Sequence, residues 1–243
     1  MTAPLLGVVG GLGPLATVDF LDKLVRLTPA TRDQEHIPWV VVGIPQTPDR
    51  TQCILRHDDA PFAHLLGAVE ILNRQDAAAV VIVCNTAHFW HARLQERSRA
   101  PILHIAEAAV RGLSGLARGS RVGILSTRGT LMAGFYQQCL LDAGHVPVLP
   151  ADAGRQEDVD ECIRLVKAND TAAAALCLAK AARSCHAAGC TAVIMACTEI
   201  PIARQAARLP RGLAAVDANL ELARLCVERL YGAGGVQSGA VAA

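Results

Sequence analysis

The chain has 243 residues, of which 52% are hydrophobic and 3% aromatic, and it carries a formal net charge of +1. No basic face or run of like charges stands out, so a nucleic-acid partner is not expected. The longest apolar runs are too short to span a bilayer and the N-terminal segment lacks a signal-peptide pattern, so we expect a cytoplasmic protein without membrane association.

Apolar runs of strand length alternate with amphipathic stretches along the whole chain, which is typical of parallel sheets covered by helices. We predict eight strands: Leu5–Gly10, Trp39–Ile44, Ala78–Cys84, Ile102–Ile105, Arg121–Thr127, Val146–Pro150, Ala192–Cys197 and Leu213–Val216. Gly144 and Gly189 are predicted helix ends. A last helix, Asn219–Tyr231, is predicted to pack back onto the first half of the chain.

The two halves of the chain resemble each other. Cys84 and Cys197 lie 113 residues apart, and "GVVGGLGPLAT" from Gly7 matches "VGILSTRGT" from Val122 at nearly the same offset. Such a repeat indicates a duplicated unit. We therefore predict an α/β fold of two similar small parallel-sheet domains, related by pseudo-two-fold symmetry, with the active site in the cleft between them.

The predicted first domain comprises residues 1–104 and 215–232, and the second comprises residues 105–214. Residues 233–243, rich in glycine and alanine, are predicted to form a flexible tail. A single barrel of eight βα units is the alternative that periodicity leaves open, because eight strands of this length also fit that fold.

Two of the nine cysteines stand where a predicted strand ends and a helix begins. Cys84 lies in "VIVCNTAHFW" and Cys197 in "VIMACTEIPI". Since ligands of open α/β sheets bind outside the carboxyl ends of the strands, both thiols are predicted to reach one cleft. The sequence contains no CxxC pair, which argues against a zinc ribbon or a thioredoxin-like site.

The surroundings of both cysteines suit acid–base chemistry on an anionic substrate. A helix N-terminus lowers a thiol pKa and offers N–H groups to a carboxylate, and Asn85, Thr86 and Thr198 add side-chain donors. Two facing thiols can remove a proton from one face of a carbon and return one to the opposite face. A disulfide switch and two unrelated core cysteines are the alternatives.

Further residues near the strand ends are candidates for substrate contacts. "GGLGPLAT" contributes Gly11, Gly13 and Thr17, either as a carboxylate-binding loop or as an ordinary strand-to-helix turn. It is not a full dinucleotide fingerprint, because no acidic partner for a ribose follows it at the expected distance in a clear strand end. Thr127 either donates a hydrogen bond to the ligand or caps a helix.

Two titratable residues follow the cysteines closely. Glu199, two residues after Cys197, either orients the site or favours a helix N-terminus. His88 and His91 form an H-x-x-H pair, but no carboxylate-rich shell accompanies it. We therefore expect His88 to support the structure or the site rather than to bind a metal.

Four of these segments together resemble a known family. "CNTAH" at 84–88 and "CTEIP" at 197–201 are similar to the paired signatures of the aspartate/glutamate racemase superfamily, and "GGLGPLAT" resembles its N-terminal loop. "PDRT" at 48–51 is similar to a segment of the aspartate racemase branch. The resemblance covers nearly the whole chain. One departure is Ala196, where the family commonly has glycine.

The resemblance implies a cofactor-independent two-base mechanism in which Cys84 and Cys197 are the acid–base pair. It also implies a homodimer whose subunits each hold a site between two α/β domains. Arg50 and Lys167 are implied to bind the side-chain carboxylate of the substrate. The residues agree with this, since the planar fork of Arg50 matches a carboxylate and Lys167 ends a predicted helix at a joint.

We therefore predict an amino-acid racemase that interconverts L- and D-aspartate, a small acidic substrate. Neither a pyridoxal-lysine context nor a metal signature is evident in the sequence, so no cofactor is predicted. A glutamate racemase or a broad-specificity racemase is the alternative within the enzyme class. A non-catalytic protein on the same fold, which binds an acidic ligand or senses redox state through its thiols, is the alternative from another class.

Overall fold

The computed structural model describes residues 3–150 and 155–231, and their eight strands form two separate sheets. The first sheet holds β1 (Leu6–Gly10), β2 (Trp39–Gly43), β3 (Ala79–Ile82) and β4 (Ile102–Leu103) in the order β2-β1-β3-β4. The second holds β5 (Arg121–Leu125), β6 (Val146–Val148), β7 (Ala192–Met195) and β8 (Ala214–Asp217) in the order β6-β5-β7-β8. All neighbouring strands are parallel.

The identical strand order in both sheets confirms the predicted pair of similar α/β domains. The alternative of one barrel is wrong, because β4 and β5 are not paired and each sheet keeps two open edges. In each sheet the order reverses beside the first strand, between β1 and β3 and between β5 and β7. Such switch points leave a crevice at the carboxyl edge of a sheet.

Helices connect the strands and cover both faces of each sheet. They are α1 (Pro14–Leu27), α2 (Arg50–Leu55), α3 (Ala60–Arg74), α4 (His91–Gln95), α5 (Ile105–Arg111), α6 (Arg128–Ala133), α7 (Phe135–Asp142), α8 (Gln156–Lys167), α9 (Thr171–Ala187), α10 (Ile200–Arg204) and α11 (Ala218–Tyr231), with 3₁₀ helices at Asp33–Glu35 and Thr86–Trp90. α11 packs against α1 and α5. The last helix of the described residues therefore packs against the first.

Both predicted helix-ending glycines follow a helix in the left-handed region. Gly144 follows α7 with φ of 81°, and Gly189 follows α9 with φ of 82°. A residue without Cβ adopts this conformation without steric cost, which explains why these helices end there.

The strands that precede the two cysteines are shorter than the sequence predicts. β3 ends at Ile82 and β7 at Met195, two residues before each cysteine. At the first site the Cys84 N–H donates to the Ile82 carbonyl at 2.8 Å, so the chain turns at once. At the second, the Cys197 carbonyl accepts from the Ile200 N–H at 3.0 Å. These local turns take the cysteines out of the ladders and place them at the carboxyl edges of the sheets.

The central core of the molecule draws on both sheets. Leu6 and Val8 of β1 belong to the same buried cluster as Ile124 of β5 and Ile194 of β7. Alternate residues of these strands face outward instead, into two further clusters that α3 covers on one side of the molecule and α8 and α9 on the other. Because the side chains of a strand alternate between faces, each parallel sheet needs this cover on both sides.

Ion pairs and amide contacts attach the C-terminal elements to α1. The Lys23 ammonium lies 2.5 Å from the Asp19 carboxylate and 2.6 Å from that of Asp217, at the end of β8. The Asn219 amide donates to the Ala16 carbonyl at 3.3 Å. These partly buried contacts join the second sheet to the first helix.

The domain limits remain a proposal, in which the second boundary needs adjustment. A cut after residue 214 would divide β8, whose residues pair with β7 in the second sheet. We therefore place the boundary between the domains after Asp217.

The predicted tail, 233–243, lies outside the described residues. Among residues 3–150 and 155–231, no helix has both the length and the hydropathy required to cross a bilayer.

Candidate active site

Cys84 and Cys197 line the same narrow cavity between the carboxyl edges of the two sheets. The cavity measures about 30 Å³. Both thiols are free and buried, with exposed fractions of 7% and 6%. The residues that line this narrow cavity are Leu12, Asp49, Arg50, Thr51, Cys84, Asn85, Thr86, Thr127, Lys167, Cys197, Thr198 and Glu199. The duplicated strand–turn units thus bring one thiol each to a shared space.

A wider cavity of about 460 Å³ adjoins the narrow one and shares Leu12, Arg50, Lys167 and Glu199 with it. Gly11 and Gly13 of the glycine loop line this wider space. Gly11 has φ of 77°, and a Cβ there would lie 2.7 Å from the Ile44 amide nitrogen, so only glycine fits. The wider cavity therefore lies next to the space that the paired thiols line.

Thr17 lies outside both linings. Its hydroxyl accepts from the Gly11 N–H at 2.9 Å and donates to the Gly13 carbonyl at 3.2 Å. The side chain therefore closes the glycine loop rather than facing either cavity, and the predicted substrate contact of Thr17 has no support in this arrangement.

The Cys197 thiol donates to a carboxylate. Its Sγ lies 3.0 Å from Glu199 Oε2, which also accepts from the Thr198 hydroxyl at 3.2 Å. The opposite oxygen, Oε1, lies so close to the glycine loop that a Cβ at Gly13 would come within 2.5 Å of it. Glu199 is buried and touches the glycine loop, the second cysteine and both cavities.

The environment of Cys197 differs from the one predicted from sequence. Burial, reinforced by the Glu199 carboxylate, raises the pKa of the Cys197 thiol well above its usual value. α10 begins three residues later and has five residues, too few for a strong helix dipole. The expectation that a helix N-terminus lowers this pKa is wrong, because desolvation and a neighbouring negative charge both favour the neutral thiol.

The environment of Cys84 depends on a buried histidine. His88 Nδ1 lies 2.9 Å from the Cys84 carbonyl oxygen, and Nε2 accepts from the Ile105 N–H at 3.2 Å. Burial lowers the pKa of His88 well below its usual value, so the ring stays neutral and Nδ1–H donates to Cys84. Both ring nitrogens are therefore occupied, and His88 holds the turn that carries the thiol.

Two further histidines pack around His88. The ring centroid of His104 lies 4.8 Å from that of His88 and 4.6 Å from that of His91. Burial and the His91 ring lower the pKa of His104 to about 4. Among the described residues, no group of three or more His, Cys, Asp or Glu side chains has a geometry that could hold a metal ion.

Asn85, directly after Cys84, is held by a residue of the opposite half. Its Oδ1 accepts from the Tyr136 hydroxyl at 2.5 Å, whereas its Nδ2 is buried and has no partner among the residues that the structure describes. Tyr136 is fully buried on α7. The unpaired amide nitrogen is available to a ligand in the narrow cavity.

Three threonine hydroxyls join the halves beside the site. Thr86 Oγ1 lies 2.9 Å from Thr127 Oγ1 and 3.0 Å from Thr130 Oγ1, and these two lie 3.0 Å apart. Thr127 also accepts from the Thr130 N–H at 3.2 Å and so caps α6, as the sequence allowed. Between them, Gly129 packs closely, since a Cβ there would lie 2.9 Å from the Thr51 Cα.

The Arg50 guanidinium ties two loops together through two of its three nitrogens. Nη1 donates to the Thr47 and Pro48 carbonyls at 3.0 and 3.1 Å, and Nη2 donates to the Leu12 carbonyl at 2.5 Å. Nε is buried without a partner among the described residues. Arg50 therefore adds positive charge to the lining of both cavities and keeps one buried nitrogen unpaired.

Lys167 is the last residue of α8 and lines both cavities. Asn169 follows with φ of 62°, so the chain turns sharply before α9. Its ammonium has no hydrogen bond or ion pair within the described part of the chain. With Arg50 it gives the shared side of the two cavities a positive charge suited to a carboxylate.

Comparison with known proteins agrees with this geometry. The profile of the Asp/Glu/hydantoin racemase family matches residues 9–226. The chain belongs to this family. Among solved structures, the aspartate racemase of Picrophilus torridus is 26% identical with a TM-score of 0.81, and the match covers 94% of both chains. A Bacillus anthracis glutamate racemase, 17% identical with a TM-score of 0.70, covers 98% of this chain and 85% of its own and shares the fold.

Relatives within the racemase family are named for different substrates. A glutamate racemase of Pseudomonas putida is 31% identical over 232 residues, which is 93% of this chain and 79% of the relative. The broad-specificity amino-acid racemase RacX of Bacillus subtilis is 28% identical over 167 residues, 67% of this chain and 71% of the relative. Racemase membership is therefore shown, and the choice of amino acid is a separate question.

Four residues at the candidate site were not identified from the sequence. Leu12, Asp49 and Thr51 line the narrow cavity, and Tyr136, which does not line it, donates a hydrogen bond to the Asn85 side chain. Asp49 and Thr51 flank Arg50 in the segment "PDRT", so the motif itself pointed to them. Tyr136 has no local signal, because its partner lies 51 residues earlier in the chain.

Proposed function

We propose that the protein is a cofactor-independent racemase that interconverts L- and D-aspartate through Cys84 and Cys197. The observation that supports this most directly is that both thiols, one from each half, line one narrow cavity. Inversion of a carbon needs a proton acceptor on one face and a proton donor on the other. Two core cysteines without a shared function have no reason to meet at the same cavity.

In the proposed reaction the resting Cys197 is the acid. The substrate enantiomer whose α-hydrogen faces Cys84 loses that proton to the Cys84 thiolate, and the electron pair remains on the substrate as a carbanion. The Cys197 thiol then delivers its proton to the opposite face and becomes a thiolate. In the reverse direction Cys197 begins as the thiolate and Cys84 as the thiol, so Cys197 takes the α-proton and Cys84 delivers its own proton to the opposite face. Between turnovers the Glu199 carboxylate, 3.0 Å from the Cys197 Sγ, is proposed to take the proton that the Cys197 thiol gives up, while Cys84 regains one from solvent.

The charges around the site support the binding of both carboxylates of aspartate. Arg50 and Lys167 are proposed to bind the side-chain carboxylate from the side where the two cavities meet. Asn85, Thr86 and Thr198 are proposed to donate to the α-carboxylate, whose oxygens gain negative charge as the proton leaves. Donors fixed in a buried site stabilise such charge more strongly than water does.

Aspartate is proposed over glutamate on two grounds. The segment "PDRT" at 48–51 is similar to one of the aspartate racemase branch, and the racemase of Picrophilus torridus with the same fold bears the name aspartate racemase. Glutamate or broad specificity is the second candidate, which the names of the Pseudomonas and Bacillus relatives favour. One methylene separates the two substrates, and apolar discrimination of that size amounts to roughly 1–3 kcal/mol.

Incubation with single enantiomers of aspartate, glutamate and alanine, followed by chiral chromatography, tests the proposal. Aspartate should reach a racemic mixture without added cofactor, glutamate should react more slowly and alanine should not react. Comparable turnover of all three would make the enzyme a broad-specificity racemase. Binding of aspartate without inversion, in the presence of a reductant, would support the non-catalytic alternative instead.

Two further properties are proposed rather than shown. We propose a homodimer, supported by two exposed apolar side chains on α1, Leu15 and Val18. Light scattering on the purified protein tests the oligomeric state.

We propose a cytoplasmic location, supported by nine unpaired cysteines in a single chain, which suit a reducing compartment. Fractionation of cells that express the full chain tests it.

A further inference from the structure

The Asn85 side chain is buried, and only one of its two polar atoms has a hydrogen-bond partner among the described residues. It is 2% exposed and lines the narrow cavity. Its oxygen is bound to the Tyr136 hydroxyl, and its nitrogen has no partner among the described residues. A buried N–H group without a partner is costly, so an amide held in this state points to a ligand that completes it.

The Tyr136 hydroxyl fixes which end of the amide faces the cavity. Tyr136 is fully buried, and burial raises the pKa of its hydroxyl well above the usual value, so the group keeps its proton. That proton has Asn85 Oδ1 as its acceptor at 2.5 Å and no other within the described part of the chain. If the amide were reversed, two N–H groups would face the hydroxyl and its proton would lose its acceptor.

Tyr136 is well placed to hold this orientation rigidly. It lies on α7, in the core cluster that both sheets share, next to Phe135, whose ring packs on His104. The hydrogen bond crosses from the second half of the chain to the turn after β3 in the first half. The amide beside the first cysteine is therefore set by a side chain of the opposite half.

We propose that Tyr136 is a positioning residue that directs the Asn85 Nδ2 hydrogens to the α-carboxylate of the substrate. This inference rests on the proposed racemase function. When the α-proton leaves, negative charge moves onto the carboxylate oxygens, and a preoriented N–H donor stabilises that charge. Tyr136 does not touch the substrate; it acts through Asn85 by preventing rotation of the amide.

A double-mutant cycle with Tyr136→Phe and Asn85→Ala tests the proposal. Tyr136→Phe keeps the ring and removes only the hydroxyl, and we expect roughly a 10-fold loss of kcat/KM, mostly in kcat. Asn85→Ala should lose roughly 10- to 100-fold. In the double variant the loss should equal that of Asn85→Ala alone, because Tyr136 acts only through the amide.

The matched control is Tyr231→Phe, which alters the only other tyrosine of the chain, an exposed residue at the end of α11. It should leave kcat/KM unchanged. Thermal unfolding of every variant separates a general loss of folding from the coupling. Losses that multiply in the double variant, or a folded Tyr136→Phe with wild-type kcat/KM, would overturn the role of Tyr136.

The outcome for the wild-type enzyme distinguishes this inference from the function on which it rests. If the wild type inverts none of the tested amino acids, the proposed function fails, and the same cycle is measured as the Kd of aspartate by calorimetry. Equal Kd values for Asn85→Ala and the double variant would retain Tyr136 as the residue that orients the amide. Absence of aspartate binding to the wild type would overturn both proposals.

Discussion

The two cysteine turns occupy equivalent places in the duplicated fold but have different surroundings. Cys197 donates to the carboxylate of Glu199, two residues away. Cys84 has no carboxylate at that spacing; Thr86 stands there, and its hydroxyl bonds Thr127 and Thr130 of the opposite half. The duplicated fold therefore accounts for the positions of the thiols, whereas the residue two positions later differs and gives a carboxylate partner to Cys197 alone.

This difference indicates that the two thiols are not chemically equal. One turn places a carboxylate next to its thiol, and the other places a neutral histidine behind its backbone. An enzyme that acts on both enantiomers must use each thiol in both protonation states over a catalytic cycle. We expect changes on one side to affect one enantiomer first.

Replacement of either cysteine should have the largest effect. Cys84→Ala and Cys197→Ala are each expected to lower racemisation by roughly 10²- to 10⁴-fold, because one proton transfer loses its acid or base. In D₂O each variant should still exchange the α-hydrogen of one enantiomer. The enantiomer that exchanges in one variant should be the one that does not exchange in the other. Nuclear magnetic resonance of the α-hydrogen measures this.

Cys177→Ala, on α9 and outside both cavities, is the control and should keep wild-type activity. Near wild-type racemisation by either Cys84→Ala or Cys197→Ala would refute the two-base mechanism.

Glu199→Gln should come next, with a loss of roughly 10²-fold in kcat. The amide can still accept hydrogen bonds from Cys197 and Thr198 but no longer takes the thiol proton. Exchange in D₂O should fail for the same enantiomer that Cys197→Ala fails to exchange. Glu70→Gln, an exposed position on α3, is the matched control. Equal loss of exchange for both enantiomers would contradict a specific link between Glu199 and Cys197.

The histidines behind Cys84 should make the protein sensitive to acid. The His104 pKa of about 4 lies below that of an unfolded histidine, about 6.5, so the unfolded chain binds this proton first as the pH falls. The stability that His104 contributes is therefore present above pH 6.5 and is lost down to about pH 4, on the order of 2–3 kcal/mol.

His104→Asn isolates this effect. His104 Nδ1 accepts from the Ala106 N–H at the start of α5, and asparagine also supplies a cap acceptor but does not titrate. Urea unfolding at pH 7 and pH 5 should show a smaller loss of unfolding free energy in the variant than in the wild type. An equal loss in both would mean that other groups control the acid response.

Gly129→Ala should have the smallest effect of the four and should act on both cysteines alike. The added methyl meets the Thr51 backbone, so α6 must move away from the first half, at a cost of about 1–3 kcal/mol. Activity should fall for both enantiomers to the same extent. Gly115→Ala, where the added methyl meets open space, is the control. A larger loss of activity for one enantiomer would show that the contact between Gly129 and Thr51 affects only one of the two cysteines.

The architecture and the two cysteines were predictable because they depend on short-range patterns. Alternating strands and helices, the repeat, and the position of Cys84 and Cys197 after strands all follow from local sequence. The pairing of Cys197 with Glu199 was not, since a spacing of two residues does not tell whether a carboxylate turns toward its neighbour. The direction of the thiol pKa depended on burial, which the sequence could not report.

Contacts between the halves were the other part that the sequence could not show. Tyr136 meets Asn85 and Thr130 meets Thr86 only because two distant turns face each other. For Thr17 the sequence motif suggested a substrate contact, but its hydroxyl instead bonds backbone groups of the glycine loop. Long-range pairings of polar groups require the tertiary structure, because any hydroxyl can serve many partners.

The core that both sheets share has a consequence for how the molecule denatures. Neither half can cover its inner sheet face without the other, so a fragment that ends near residue 104 would leave the apolar inner faces of β1 and β3 exposed to water. Heat or urea should therefore melt the two repeats together, in a single cooperative transition, and loss of one repeat should abolish folding of its twin.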